Sequence, residues 1–150
     1  MPIYTTYLAF LRKADYNPLH IFPDALHETI IYYVMRNRGN NEVAPSEILL
    51  EWISIQKKNY GDNWSQIGKT KCWQKYVQEY LDQFNRYEPA KQWMKKVANE
   101  ARRANVVLVC FEKDQHHCHR RLLAQEISQR FDVDYKGELT LKDIKSKGTK

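Results

Sequence analysis

The stretch from Cys110 to Arg121 gathers most of the reactive side chains of the chain: Cys110, Glu112, His116, His117, Cys118, His119, Arg120 and Arg121. Three of the five histidines and two of the three cysteines fall within ten residues. Four kinds of chemistry suit such a set. An anion can dock where Cys118-His119-Arg120 opens a helix, because the first amides of a helix lack internal partners and the helix dipole is positive there. Arg120 can offer a two-pronged fork to phosphate or carboxylate. Cys118 can become a thiolate nucleophile, stabilised by the same field and by a neighbouring arginine. Glu112 or His119 can act as general acid or base. Metal binding fits less well. Zinc sites favour paired ligands spaced about two to five residues apart. Here Cys118 and its neighbours are contiguous, so their side chains are expected to diverge, and no metal site and no cofactor is implied. A phosphatase-type loop sets its arginine further beyond the cysteine than Arg120 and Arg121 stand, so that chemistry is not expected either. The plain readings are an exposed loop for His116 and His117, a small buried residue for Cys110, and a structural acid facing Arg120 or Arg36 for Glu112.

These groups need elements to carry them. Val106 to Phe111 is an apolar, β-branched run, which reads as a short buried strand leading straight into the cluster. Residues 2 to 10, dense in Ile3, Tyr4, Thr5, Thr6, Tyr7, Leu8 and Phe10, read as a first strand. Asn17-Pro18 marks a loop. Thr29 to Met35 is nearly all apolar and predicts a strand buried on both faces. It ends in a turn carrying Arg36 and Arg38. Ser46 is a good N-cap for a helix with Leu49, Trp52 and Ile53 on one face, closed at Asn59 to Asn63. From Cys72 to Phe84, Trp73, Tyr76, Val77, Tyr80, Leu81 and Phe84 keep a clean helical period and predict a core-facing stripe. Pro89 suits the first turn of another helix, with Ala90, Trp93, Met94 and Val97 inward and lysines outward. Arg120 to Phe131 predicts the last helix, and Phe131 to Tyr135 a last short strand.

Strands interleaved with helices predict an α/β fold: a single three-layer sandwich, with a mainly parallel sheet and helices on both faces. In such sheets ligands bind beyond the carboxyl ends of the strands. The loops after Phe10, Met35 and Phe111 carry Arg12 and Lys13, Arg36 and Arg38, and the Glu112 to Arg121 cluster. Parallel neighbouring strands would bring these groups to one edge.

At 150 residues the chain suits one domain over residues 1–141, followed by a basic flexible tail over 142–150. The formal charge of +6 fits attraction to a phosphate-bearing small molecule or to nucleic acid. Three cysteines without a spaced framework point to a reduced, cytoplasmic protein. No signal peptide is expected, and no apolar run approaches the roughly 20 residues needed to cross a bilayer, so membrane association is not expected.

Val107-Leu108-Val109-Cys110-Phe111-Glu112-Lys113-Asp114, followed by Cys118-His119-Arg120, resembles the signature of the family DUF488, a domain of unknown function. That family tends to carry an apolar strand ending Cys-Tyr/Phe-Glu, a short loop, and Cys-His-Arg opening a helix. Ile3 to Leu8 with Arg12-Lys13, Ala44-Pro45-Ser46, and Tyr76 to Leu81 are similar to other parts of it. The resemblance implies an α/β fold and a site drawn from Glu112, Cys118, His119, Arg120 and Arg36, with Tyr4 and Thr5 as further contacts. Of the family's acidic-x-Arg turn after the second strand, only Arg36 is present, and the His116-His117 pair is additional. Some relatives carry DNA-repair labels. The expectation is an anion site for phosphate or nucleotide at the end of strand 106–111, in an enzyme of nucleotide or nucleic-acid metabolism or equally in a non-catalytic nucleotide or nucleic-acid binder, with a purely structural polar knot as a third reading.

Overall fold

A computed structural model describes residues 2–114 and 117–145. Four strands form one sheet in the order β2-β3-β1-β4: β1 (Ile3–Tyr7), β2 (Thr29–Tyr33), β3 (Asn105–Cys110) and β4 (Tyr135–Glu138). Every pairing is parallel. The helices are α1 (Leu8–Leu11), α2 (Glu47–Tyr60), α3 (Lys69–Arg86), α4 (Glu88–Ala101) and α5 (His119–Phe131). The predicted α/β architecture, a parallel sheet between two layers, is therefore present.

The two layers are unequal. Alternation along β1 and β3 sends Ile3, Val106 and Leu108 to one face, where they pack with α2 to α5 around Tyr80, Phe84, Met94 and Leu123. Tyr4, Val107 and Val109 go to the other face. That face is covered by α1, the turn after it, Ile21 and Ile144. β3 is buried at all six positions because it has a strand on each side and packing on both faces.

Several boundaries differ from the sequence reading. The first strand stops at Tyr7, and Leu8 to Leu11 turn into α1. β2 was expected to be buried on both faces, yet all five of its residues are only half-buried. It is an edge strand, so its apolar run covers one flank of the sheet rather than filling the middle. The last strand lies later than Phe131–Tyr135: Asp132, at φ 56°, ends α5 and β4 begins at Tyr135. Residues 142–145 lie along the segment that follows Asn17–Pro18. Ile144 is buried and bridges Ile21, and the Lys145 amide donates to the His20 carbonyl at 2.7 Å. Two apolar side chains, Leu139 and Ile144, anchor this segment despite its lysines. The rest of the predicted tail, 146–150, lies outside the described residues.

Elsewhere local chemistry and structure agree. The Ser46 side chain accepts from the Leu49 amide at 3.1 Å and caps α2. Pro89 lies in the first turn of α4. Beyond α2 the chain does not form a loop: a tight helical turn (Gly61–Asn63) and a wide one (Trp64–Gly68) run directly into α3. No helix among the described residues is long and apolar enough to cross a membrane.

Candidate functional site

β2 and β3 are neighbours, so the segments leaving their carboxyl ends meet. Val34 extends the pairing by one bond, its amide donating to the Val109 carbonyl at 2.9 Å, and Met35-Arg36 follow. Cys110 closes β3. Cys118, extended at φ −134° and ψ 144°, is the N-cap residue of α5. Between these ends opens a cavity of about 400 Å³. Its size falls within the range of small-molecule pockets, about 300–1,000 Å³.

The floor of the cavity is Cys110, Cys118 and His119, all buried. The Nε2 atom of His119 lies 2.6 Å from the Val34 carbonyl oxygen. A carbonyl only accepts, so Nε2 carries the proton. Cys110 Sγ lies beside the ring, 3.5 Å from Nδ1 and 3.7 Å from Nε2, and Cys118 Sγ lies 3.9 Å from Nδ1. The ring also packs edge-on against Tyr80, with centroids 5.4 Å apart. Burial pushes the Cys118 thiol up. A hydrogen bond from Cys110, the pull of His119 and the Arg120 charge outweigh it and hold Cys118 well below its usual range. Cys110 moves the opposite way, because it donates that hydrogen bond to Cys118 and is itself buried.

The walls are basic and aromatic. Arg36, Arg38, Lys57 and Lys69 line the cavity, with Trp64, Trp73 and Tyr76. Arg36 Nε donates to the Pro45 carbonyl at 3.0 Å, and Nη2 to that of Asn41 at 3.4 Å, while Nη1 has no hydrogen-bond partner among the described residues. Lys57 lies over the Trp64 ring, 5.8 Å from its centroid. Lys69 pairs with Asp114 at 2.9 Å. Glu112 and Phe111 form the exposed lip. His117 is not the exposed loop residue expected from sequence. Its Nδ1 lies 2.7 Å from Asp114 Oδ2, and its ring stands edge-on to Trp73. His116 lies outside the described residues.

Five residues named from sequence, Arg120, Tyr4, Thr5, Arg12 and Lys13, stand away from the cavity. Arg120 is fully buried, with Nη2 2.6 Å and Nε 3.0 Å from the two carboxylate oxygens of Glu138. Its Nη1 donates to the Glu112 carbonyl and Nη2 also to that of Lys113, while the guanidinium lies over Tyr7. All three nitrogens are therefore committed, and Arg120 clamps the loop after β3 to β4 rather than presenting a fork. Tyr4 points to the opposite face, against Phe22, with centroids 4.5 Å apart. Thr5 is buried, its hydroxyl 2.7 Å from that of Tyr135. Arg12 and Lys13 also fail to join, because α1 and the turn after it carry them over the far face of the sheet.

The residues missed from sequence come from α2, the wide turn and α3. Trp73 and Tyr76 belong to the predicted core stripe, but its first turn faces the cavity. Lys57, Trp64 and Lys69 carried no usable signal, since nothing local places them beside β3.

An all-parallel sheet flanked by helices, with a cavity at the carboxyl ends of two adjacent strands, defines an α/β protein. The profile of the domain of unknown function DUF488 matches residues 21–127, more than two thirds of the chain, and the protein belongs to that family. No curated protein and no solved structure matches it.

Proposed function

We propose that the cavity binds a phosphate-bearing small molecule with an aromatic body, of nucleotide class. The observation that carries this reading is the convergence of four cations and three aromatic rings on one cavity of about 400 Å³. Phosphate oxygens would meet Arg36 Nη1, Arg38 and Lys57, and a planar base would lie among Trp64, Trp73 and Tyr76. Glu112 at the lip, with Cys118 and His119 on the floor, are the groups of this chain that would act on it. A nucleic-acid strand is a poorer fit, because these cations converge into a cavity rather than follow a groove.

Isothermal titration with a panel of nucleoside monophosphates and sugar phosphates tests the reading. At least one should bind, more weakly as salt rises. The double substitution Arg38→Ala and Lys57→Ala should reduce affinity about tenfold or more, in line with two lost charge-assisted hydrogen bonds. No binding at low salt, or binding indifferent to the double substitution, refutes it.

A further inference from the structure

Cys110, Cys118 and His119 form a donor set that contiguity in sequence concealed. Cys118 is extended and His119 is the first helical residue, so the change of backbone conformation between them turns both side chains to the same side. Cys110 arrives from the end of β3. The two sulfurs and a nitrogen of His119 all lie within 4.8 Å of one another.

The spacing is that of a coordination sphere. With Zn–S about 2.3 Å and Zn–N about 2.0–2.1 Å, the nitrogen–sulfur edge of a tetrahedral centre is about 3.6 Å. The separations from Nδ1, 3.5 and 3.9 Å, bracket that value. The histidine is also prepared as a ligand. The Val34 carbonyl takes the Nε2 proton, which leaves Nδ1, the ring nitrogen nearer to Cys110 Sγ and 3.9 Å from Cys118 Sγ, as the ligand atom. A backbone carbonyl holding the far nitrogen is the usual outer partner of a metal-bound imidazole. All three donors line the cavity.

We propose that Cys110, Cys118 and His119 bind one zinc-class divalent ion, with the fourth coordination position open to the cavity. Two thiolates and an imidazole favour zinc over the oxygen-seeking magnesium and calcium. Any thiol proton still present leaves as the metal enters. The inference does not depend on the phosphate-ligand reading, because it rests on three donors and their spacing alone.

Cobalt(II) is the probe. The full chain, stripped by chelator and kept reduced, is titrated with Co²⁺ and no other ligand. One ion should bind per chain, with the visible bands of a tetrahedral centre and near-ultraviolet thiolate charge transfer, and Zn²⁺ should displace it. Cys110→Ser and Cys118→Ser should each remove about half of the charge-transfer intensity, and His119→Ala should weaken binding about tenfold or more. Cys72→Ser should leave the spectrum intact, since Cys72 belongs to a separate contact with Gln56. X-ray absorption on the zinc-loaded natural chain should count two sulfurs and one imidazole nitrogen, a readout that needs no variant to fold. Absence of stoichiometric binding, a spectrum without thiolate charge transfer, or an absorption edge with only oxygen and nitrogen neighbours overturns the proposal.

Discussion

Arg120 illustrates how a residue in a promising position can serve the frame around a site. Its charge is fully buried and meets Glu138, which is itself only slightly exposed. Removing one partner of a buried pair leaves the other charged and desolvated, typically at about 3–5 kcal/mol. Arg120→Ala should therefore lower the urea midpoint by an amount corresponding to that loss. A milder outcome, with stability within about 0.5 kcal/mol of the natural chain, would mean that Glu138 finds water and that the clamp is dispensable. Cys110 illustrates the converse. As the last apolar residue of a strand it reads from sequence as inert filling. Its place beside Cys118 and His119 depends on which helix start lies next to the strand end, and no local pattern encodes that.

At the scale of elements, the wide turn Trp64–Gly68 sets one wall of the cavity. A Cβ on Gly68 would meet Tyr60 Cγ at 2.5 Å and Trp64 Cε3 at 2.8 Å. These atoms belong to ring bodies, not to flexible tips, so the rings must shift. Gly68→Ala should displace Trp64, quench or shift its fluorescence, and weaken binding in the cavity more than it lowers the melting temperature. Unchanged Trp64 emission and unchanged affinity would show that the wall tolerates the methyl group. The same turn marks the limit of what sequence reveals. Ser46, Pro89 and the stripe from Trp73 to Phe84 announce their helices through capping, fixed φ and periodicity, all of which are local. The edge position of β2 is not local: Thr29 to Tyr33 and Asn105 to Cys110 are similarly apolar, and only strand order separates the half-buried strand from the buried one. Glu112, Cys118, His119 and Arg36 were legible because two parallel strands deliver them to one edge. Lys57, Trp64 and Lys69 reach that edge by helix packing.

At the scale of the whole molecule, tyrosine hydroxyls join the helices to their neighbours. Tyr80, deep among the helices, donates its hydroxyl to the Val43 carbonyl at 2.5 Å, and Tyr32 donates to Glu100. Burial first, then Tyr76 and the nearby thiols, raises Tyr80; burial first, then Glu100, raises Tyr32. In the unfolded chain both would ionise near pH 10. Their contribution is thus complete below about pH 10 and is lost as pH rises above it, because the unfolded chain then releases protons that the folded chain keeps. Alkaline titration should show tyrosinate absorbance from these residues rising together with loss of helical circular dichroism. Ionisation of all ten tyrosines well before unfolding would contradict this coupling. The strand order also has a consequence in time. Ile3 pairs with Val106 on one side and Tyr135 on the other, and Thr29 pairs with Asn105. Both early strands must wait for β3, and at about 5–20 residues per second of synthesis β1 waits on the order of 5–20 s. Throughout that interval two apolar strands have no partner in the nascent chain, so the newborn protein depends on whatever shields them until its central strand emerges.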